Sequence, residues 1–177
     1  MRCPAGTSRR RGISASVGVA LSSRLRLAVE GTFNDAEITG AADTAGTLVS
    51  TSLLGSIPRP RPSFHDVPLT PGARVPGVAR YLGRAEVTVA ATSALEGRLL
   101  FRWSGPFTPI GEPAVRTRPY ILTDLGASLR IPRWGTLDLE LQNLLNARYP
   151  EIRASGFLNP GAPRTLRAAL RLPLATS

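Results

Sequence analysis

The chain is patterned in twos. Ile13, Ala15, Val17, Val19 and Leu21 alternate with small or polar residues. Leu25, Leu27, Val29, Gly31 and Phe33 do the same against Arg24, Arg26, Glu30 and Thr32. The pattern returns in Tyr81–Val89, with Arg84, Glu86 and Thr88 on the opposite face, and in Leu95–Trp103, with Glu96, Arg98 and Arg102 opposite. It returns again in Leu125–Ile131, Leu137–Leu141 and Leu166–Leu172, where Arg167 and Arg171 oppose Leu166, Ala168, Leu170 and Leu172. Strict alternation places apolar side chains on one face of a strand and polar ones on the other. The pattern predicts an all-β chain, an antiparallel meander of about seven strands, with no sustained helical stripe.

The connections alternate as regularly as the residues. Ser22–Ser23, Ser93–Ala94 and Pro132–Gly135 are brief. Thr39–Ala79, Pro106–Pro119 and Leu145–Ala162 are long and rich in Pro and Gly. Every second turn being short is the arrangement of a transmembrane barrel, which has short turns at one rim and long loops at the other. The arginine-bearing faces would then line a wet lumen. In a soluble antiparallel sheet the same faces would simply be solvated. Phe101, Trp103 and Phe107, with Tyr120 and Trp134 at other strand ends, suit the aromatic girdles of a barrel.

Composition narrows this further. The chain of 177 residues carries a net charge of +10, and all its basic residues are Arg. There is no apolar run long enough for a membrane-spanning helix, and a strand-built wall needs none. Cys3 is the single cysteine, so a disulfide or a Cys-based metal site is not expected. Arg9, Arg10 and Arg11, followed by a mildly apolar run, have the outline of a secretory or twin-arginine leader. The alternation from Ile13 onward reads instead as a strand, and residues 1–11 as a disordered basic segment ahead of it. His65, the one histidine, lies beside Asp66 in the long Pro-rich connection. One histidine provides neither a metal site nor a Ser-His-Asp device. Ile57–Pro62, "IPRPRP", reads as a stiff spacer with polyproline character. Asp35 and Glu37 share a face at a strand end, as an acid/base or cation-binding pair would, but a solvated strand end is the better reading of them.

One stretch is more specific. In "LDLELQNLLNARYP" a strand runs into Asn143-Leu144-Leu145-Asn146 and Tyr149; "NPGAPRTL" and a last strand follow. This resembles the C-terminal end of TonB-dependent outer-membrane receptors, which carry an Asn-Leu-Phe-Asp/Asn…Tyr segment and then a Pro-Gly-x-Pro-Arg turn into the final barrel strand. Asn143, Leu144, Asn146, Tyr149, Pro160, Gly161, Pro163 and Arg164 match; Leu145 stands where the family has Phe. "TPGARVPGVARYLGRAEV" (Thr70–Val87) and "GTFNDAEI" (Gly31–Ile38) are similar to loop-to-strand and strand-to-loop passages of the family.

The resemblance implies a partial receptor barrel over residues 12–177, an incomplete wall forming an open curved sheet. It implies an outer-membrane location with lipid as the partner of the apolar face. It also implies a family role in taking up ferric siderophore, haem, cobalamin or another scarce solute with energy delivered through TonB. It implies no enzyme activity, no cofactor and no metal, and the eight matched residues carry structure rather than chemistry. A complete receptor barrel has about 22 strands, so some seven strands correspond to its C-terminal third or less. A truncated gene, a start called inside a longer frame, or a degraded copy would each produce such a chain. With the plug and the TonB-contacting segment not in view, and "RLPLATS", which puts Pro173 inside the last strand, where the family ends on an aromatic residue, the chain by itself is not expected to transport. The rival from another class is a basic, soluble β-rich protein that binds nucleic acid or another anionic partner; few aromatics are interleaved with its arginines, so nucleic acid is not expected. A complete small barrel would need an even strand number.

Overall fold

A computed structural model describes residues 7–40, 71–109, 115–152 and 158–173. Among these residues nine strands form: β1 (Ser8–Ala20), β2 (Leu25–Ile38), β3 (Tyr81–Ala90), β4 (Leu95–Ser104), β5 (Tyr120–Ile131), β6 (Gly135–Gln142), β7 (Pro150–Ile152), β8 (Leu158–Pro160) and β9 (Thr165–Arg171). Seven of them make one sheet in the order β1-β2-β3-β4-β5-β6-β9, every pair antiparallel. β1 and β9 do not meet, so the sheet is open. The described residues contain no helix.

The seven expected strands are therefore present, in sequence order, as a meander. Three details differ from the reading of the sequence. β1 starts at Ser8, so Arg9, Arg10 and Arg11 lie in the ladder opposite Glu37, Ala36 and Asp35 rather than in a disordered leader. Complementary charge across the strand pair extends the alternation past the point where apolar residues stop. The last strand closes at Arg171, leaving Pro173 just beyond it rather than within it, as the missing N–H of proline favours. The long connection before β9 folds a small hairpin of its own, β7 with β8. His65, Asp66, Ile57–Pro62 and Cys3 lie outside the described residues.

Two of the short turns share one construction. In the first, the Ser22 hydroxyl accepts from the N–H groups of Arg24 and Leu25 at 3.2 and 3.1 Å. In the second, the Thr92 hydroxyl accepts from Ala94 and Leu95 at 3.1 and 2.9 Å. A hydroxyl that satisfies the two following amides makes a compact turn without glycine. The third turn, Pro132–Trp134, places Arg133 at φ 68° and Gly135 at φ 115°. All three short turns lie at one end of the sheet, and the long connections lie at the other.

Long-loop ends are where chain is buried. Segment 72–80 returns alongside β2: the N–H of Val75 donates to Ala36, that of Ile38 to Ala73 and that of Asn34 to Arg80. Thr117 ties its own strand approach to Phe107 through backbone and hydroxyl. Among the described residues Ala36, Ile38, Ala79, Phe107 and Leu122 are the buried apolar ones, and all belong to this end. Phe107, expected in an outer girdle, is instead packed inside because the chain folds back over it.

Candidate functional site

Two arrangements carry whatever this molecule does: the opposed faces of the sheet, and a knot of hydrogen bonds at its long-loop end.

Register decides the faces, because residues directly opposite on paired strands point the same way. One row runs Val17–Val29–Ala85–Phe101–Thr123, and a second runs Val19–Leu27–Val87–Leu99–Leu125–Leu141–Leu166. One face of all seven strands is thus largely apolar, and its large side chains stand open, although Thr123 within it is buried. On β5, Ile121 is 61% and Leu125 46% exposed, while Leu122 and Asp124 on the other face are 3% and 4%. A soluble sheet buries its apolar face; this one turns it outward. Trp103, at the long-loop rim of this face, lies over Gly83, where a Cβ would overlap the indole. Trp134 stands 69% exposed at the opposite rim. Phe33 and Tyr81 are paired in register beside Trp103's row, and the Arg80 guanidinium sits 5.4 Å above the Phe33 ring.

The other face is laced with ion pairs. Arg84 meets Glu30 at 2.8 Å, Arg26 meets Glu96 at 3.1 Å, and Arg98 meets Glu140 at 3.4 Å. Arg102 meets Asp124 at 2.7 Å, and Arg171 meets Asp138 at 2.6 Å. Ser128 donates to Asp138 at 2.7 Å. The arginines are thus interleaved with carboxylates rather than gathered into the continuous basic patch that a polyanion binder shows. Asp35 and Glu37, expected on one face, are on one face. Each has its own arginine, Arg74 at 3.5 Å and Arg9 at 2.9 Å, an ion-pair role rather than a shared cation or proton.

The knot is built from the resemblance motif. β6 ends at Gln142, and Asn143 then takes φ 50° and Asn146 φ 51°, the left-handed region that Asn tolerates better than most residues. Asn143 is 3% exposed and fully bonded. Its amide nitrogen donates to the carbonyls of Ala147 (2.9 Å) and Ala162 (3.0 Å). Its amide oxygen accepts from the N–H of Ala147 (2.8 Å). Its own N–H donates to Asp124 Oδ1 (2.8 Å), whose other oxygen holds Arg102. Leu144 donates its N–H to Thr123, and Asn146 Oδ1 accepts from the N–H of Arg164. The Tyr149 ring packs at a tilt of 39° against that of Tyr120, 5.0 Å between centroids. The N–H of Gly161 donates to Tyr149 O at 2.8 Å, and the glycine lies so close to the Tyr149 ring that a Cβ would overlap it. Pro160 ends β8, opposite Pro150. Pro163 offers its carbonyl to the Thr165 hydroxyl at 3.0 Å as β9 begins.

Asn143, Leu144, Asn146, Tyr149, Gly161, Pro163 and Arg164 therefore all act within one corner, joining β5, β6 and β9. Leu145, in the position of the family's Phe, is 70% exposed. Reading the sequence missed Asp124, Arg102 and Tyr120 as members of this corner. They are remote in sequence, and only their alternation, which every strand shares, could have hinted at them. Among the described residues no group of acidic, His and Cys side chains is placed to hold a metal ion.

An open antiparallel sheet with one apolar face, one ion-paired face and alternating short and long connections has the fold of a section of β-barrel wall. Three solved structures share that fold. The siderophore receptor PiuA from Acinetobacter baumannii aligns with a TM-score of 0.66 at 17% identity, over 91% of this chain and 21% of that one. The ferric-catecholate import receptor Fiu from E. coli K12 aligns at 0.58 and 21%, over 91% and 20%. The ferric yersiniabactin uptake receptor FyuA from Yersinia pestis aligns at 0.57 and 18%, over 93% and 22%. The chain thus spans about a fifth of the length of these receptors. No protein-family profile and no curated protein sequence matches it.

Proposed function

We propose that the chain is a section of the wall of a TonB-dependent outer-membrane receptor, from the C-terminal end of its barrel. Its apolar face contacts outer-membrane lipid. The observation that carries this is the two-faced sheet: large apolar side chains left uncovered along all seven strands, with charged residues matched in ion pairs on the opposite face. Siderophore receptors are the solved proteins that share the fold, so the solute class proposed for the intact barrel is a ferric siderophore or a similar scarce compound. The long-loop end, with its knot, is the rim that would face the solute. A seven-stranded open wall does not enclose a passage, so uptake belongs to the completed barrel and not to this section alone.

Environment-sensitive labels test the reading. Val17→Cys and Ala127→Cys lie on the apolar face, Ala28→Cys and Ala169→Cys on the polar face. In vesicles containing brominated lipid, labels at 17 and 127 should be quenched by the lipid and those at 28 and 169 by aqueous iodide. Equal quenching of both sets by iodide would mean a water-soluble sheet and favour the basic binding-protein alternative.

A further inference from the structure

The apolar face changes character abruptly at one rim. Along β1 it runs Val17, Ala15, Ile13 and then Arg11 and Arg9; along β2 it runs Val29, Gly31, Phe33 and then Asp35 and Glu37. Register puts these on one side, with Ile13 opposite Phe33, Arg11 opposite Asp35 and Arg9 opposite Glu37. Arg74 joins them from the returning segment, bridged to Glu37. Arg80 brings its guanidinium 5.4 Å from the centre of the Phe33 ring. Arginines 9, 11, 74 and 80 therefore stand with Asp35 and Glu37 immediately beyond the row Ile13–Phe33–Tyr81, at the long-loop end. Arg9 is paired with Glu37 at 2.9 Å and Arg74 with Asp35 at 3.5 Å. Among the described residues Arg11 and Arg80 have no carboxylate within ion-pair distance, so the cluster carries an excess of positive charge. At the turn end the same face stays apolar as far as Leu25, Val89, Leu95 and Ile131.

We propose that this cluster binds the phosphate of an anionic lipid, in the leaflet at the long-loop end. Arg11 and Arg80 hold the phosphate, and the lipid's chains lie on Ile13, Phe33 and the apolar rows beneath. The proposal rests on the barrel-wall reading given above and adds to it a particular headgroup chemistry at a particular place. An arginine on the lipid side of a barrel is costly at mid-bilayer and nearly free at the interface. The step from Ile13 to Arg11 therefore marks the level of the headgroups, and the Phe33 and Tyr81 rings sit where interfacial aromatic residues belong. Guanidinium groups match phosphate with paired, charge-assisted hydrogen bonds. Arg9 and Arg74 already have carboxylates, which leaves Arg11 and Arg80, on either side of Phe33, as the cations in need of an anion. A lipid fits better than a phosphate in solution because of what lies beneath: Ile13 is 71% and Phe33 41% exposed, apolar surface that only the chain-bearing ligand covers.

The test titrates the full chain, refolded in dodecylmaltoside micelles, with dioleoyl phosphatidic acid, with dioleoyl phosphatidylcholine and with inorganic phosphate. Native mass spectrometry counts the lipid bound. A single phosphatidic acid should be retained in preference to phosphatidylcholine, and inorganic phosphate should not displace it. Arg11→Gln combined with Arg80→Gln should weaken its binding roughly thirtyfold. Asp35→Asn, which frees Arg74 and adds to the excess charge, should tighten it roughly fivefold; a merely structural role for these residues would give no gain. Arg167→Gln, on the opposite face, should leave binding unchanged. Equal retention of the two lipids, no loss in the double variant, no gain in Asp35→Asn, or an equal loss in Arg167→Gln overturns the proposal. Displacement by inorganic phosphate overturns it too, by making the cluster a site for a soluble anion. A β-structured chain in the micelle that retains no phosphatidic acid overturns the proposal alone, whereas a chain that stays out of the micelle or keeps no β-structure there overturns the barrel-wall reading with it.

Discussion

Asn143 holds a left-handed backbone and spends every hydrogen-bonding group of its buried side-chain amide on the backbone of two residues, Ala147 and Ala162. A buried group whose partner is removed leaves unpaired donors and acceptors, each costing about 1–3 kcal/mol. Asn143→Ala should therefore lower the stability of the folded section by about 2–4 kcal/mol, measured by urea unfolding in detergent or vesicles. Asn143→Gly, which keeps the backbone conformation free of strain, should recover only a part of that loss. If Gly restores full stability, the amide bonds are worth little and the backbone was the reason for Asn. Gly161 makes a complementary case, since nothing but its lack of a Cβ lets the Tyr149 ring lie against it. Gly161→Ala should destabilise the corner, and Tyr149→Ala in the same chain should relieve most of the effect. A double variant no better than the single one would show that backbone freedom, not ring contact, requires the glycine.

A strand in this sheet has two environments, and each punishes a different substitution. Leu125 on β5 is directly opposite Leu99 and Leu141, in the outward apolar row. An arginine on the lipid face near mid-bilayer costs about 2–4 kcal/mol in barrels. Leu125→Arg should show a loss of that order in vesicle-refolding titrations, while Ser128→Arg, on the inner face, should show much less despite losing the bond to Asp138. Equal losses at the two positions would deny the assignment of faces. Asp124 offers a subtler comparison. It is buried, accepts from the Asn143 N–H and pairs with Arg102, linking β4, β5 and the knot. Asp124→Asn retains an oxygen for Asn143 and loses the charge pair; Asp124→Ala loses both. The alanine variant should be the less stable of the two by urea denaturation, because a buried unpaired N–H costs more than a weakened pair that is partly open to water.

At the scale of the molecule, the governing facts are an exposed apolar face and two unpaired edges. Open strand edges template further strands, and in lipid their free backbone groups cost several kcal/mol each. Expressed by itself in water, the chain should aggregate or appear as detergent-soluble oligomers. Sedimentation analysis showing a monodisperse monomer in plain buffer, with a cooperative thermal transition, would count against a wall section. No uptake should accompany its expression alone. Restoration of uptake by this chain without any other barrel segment would contradict the open sheet.

Strand number, order and facing were legible in the alternation of residues such as Leu99 and Arg102, because a period of two admits only one set of faces once a sheet forms. The alternation of short and long connections likewise revealed which rim was which. The resemblance motif named Asn143, Asn146, Tyr149 and Gly161, but not their work. That depended on Asp124 and Ala162, each 19 positions away in the chain, arriving at the same corner. The sequence also could not separate a solvated sheet from a lipid-facing one, since both alternate. The proposal of a lipid-facing sheet rests instead on the assembled sheet, with large apolar side chains uncovered on one face and arginines matched to acids of neighbouring strands on the other. Pairing between strands and fold-back of loops are non-local. They depend on which residues meet across register, and the pattern along any single strand is silent about that.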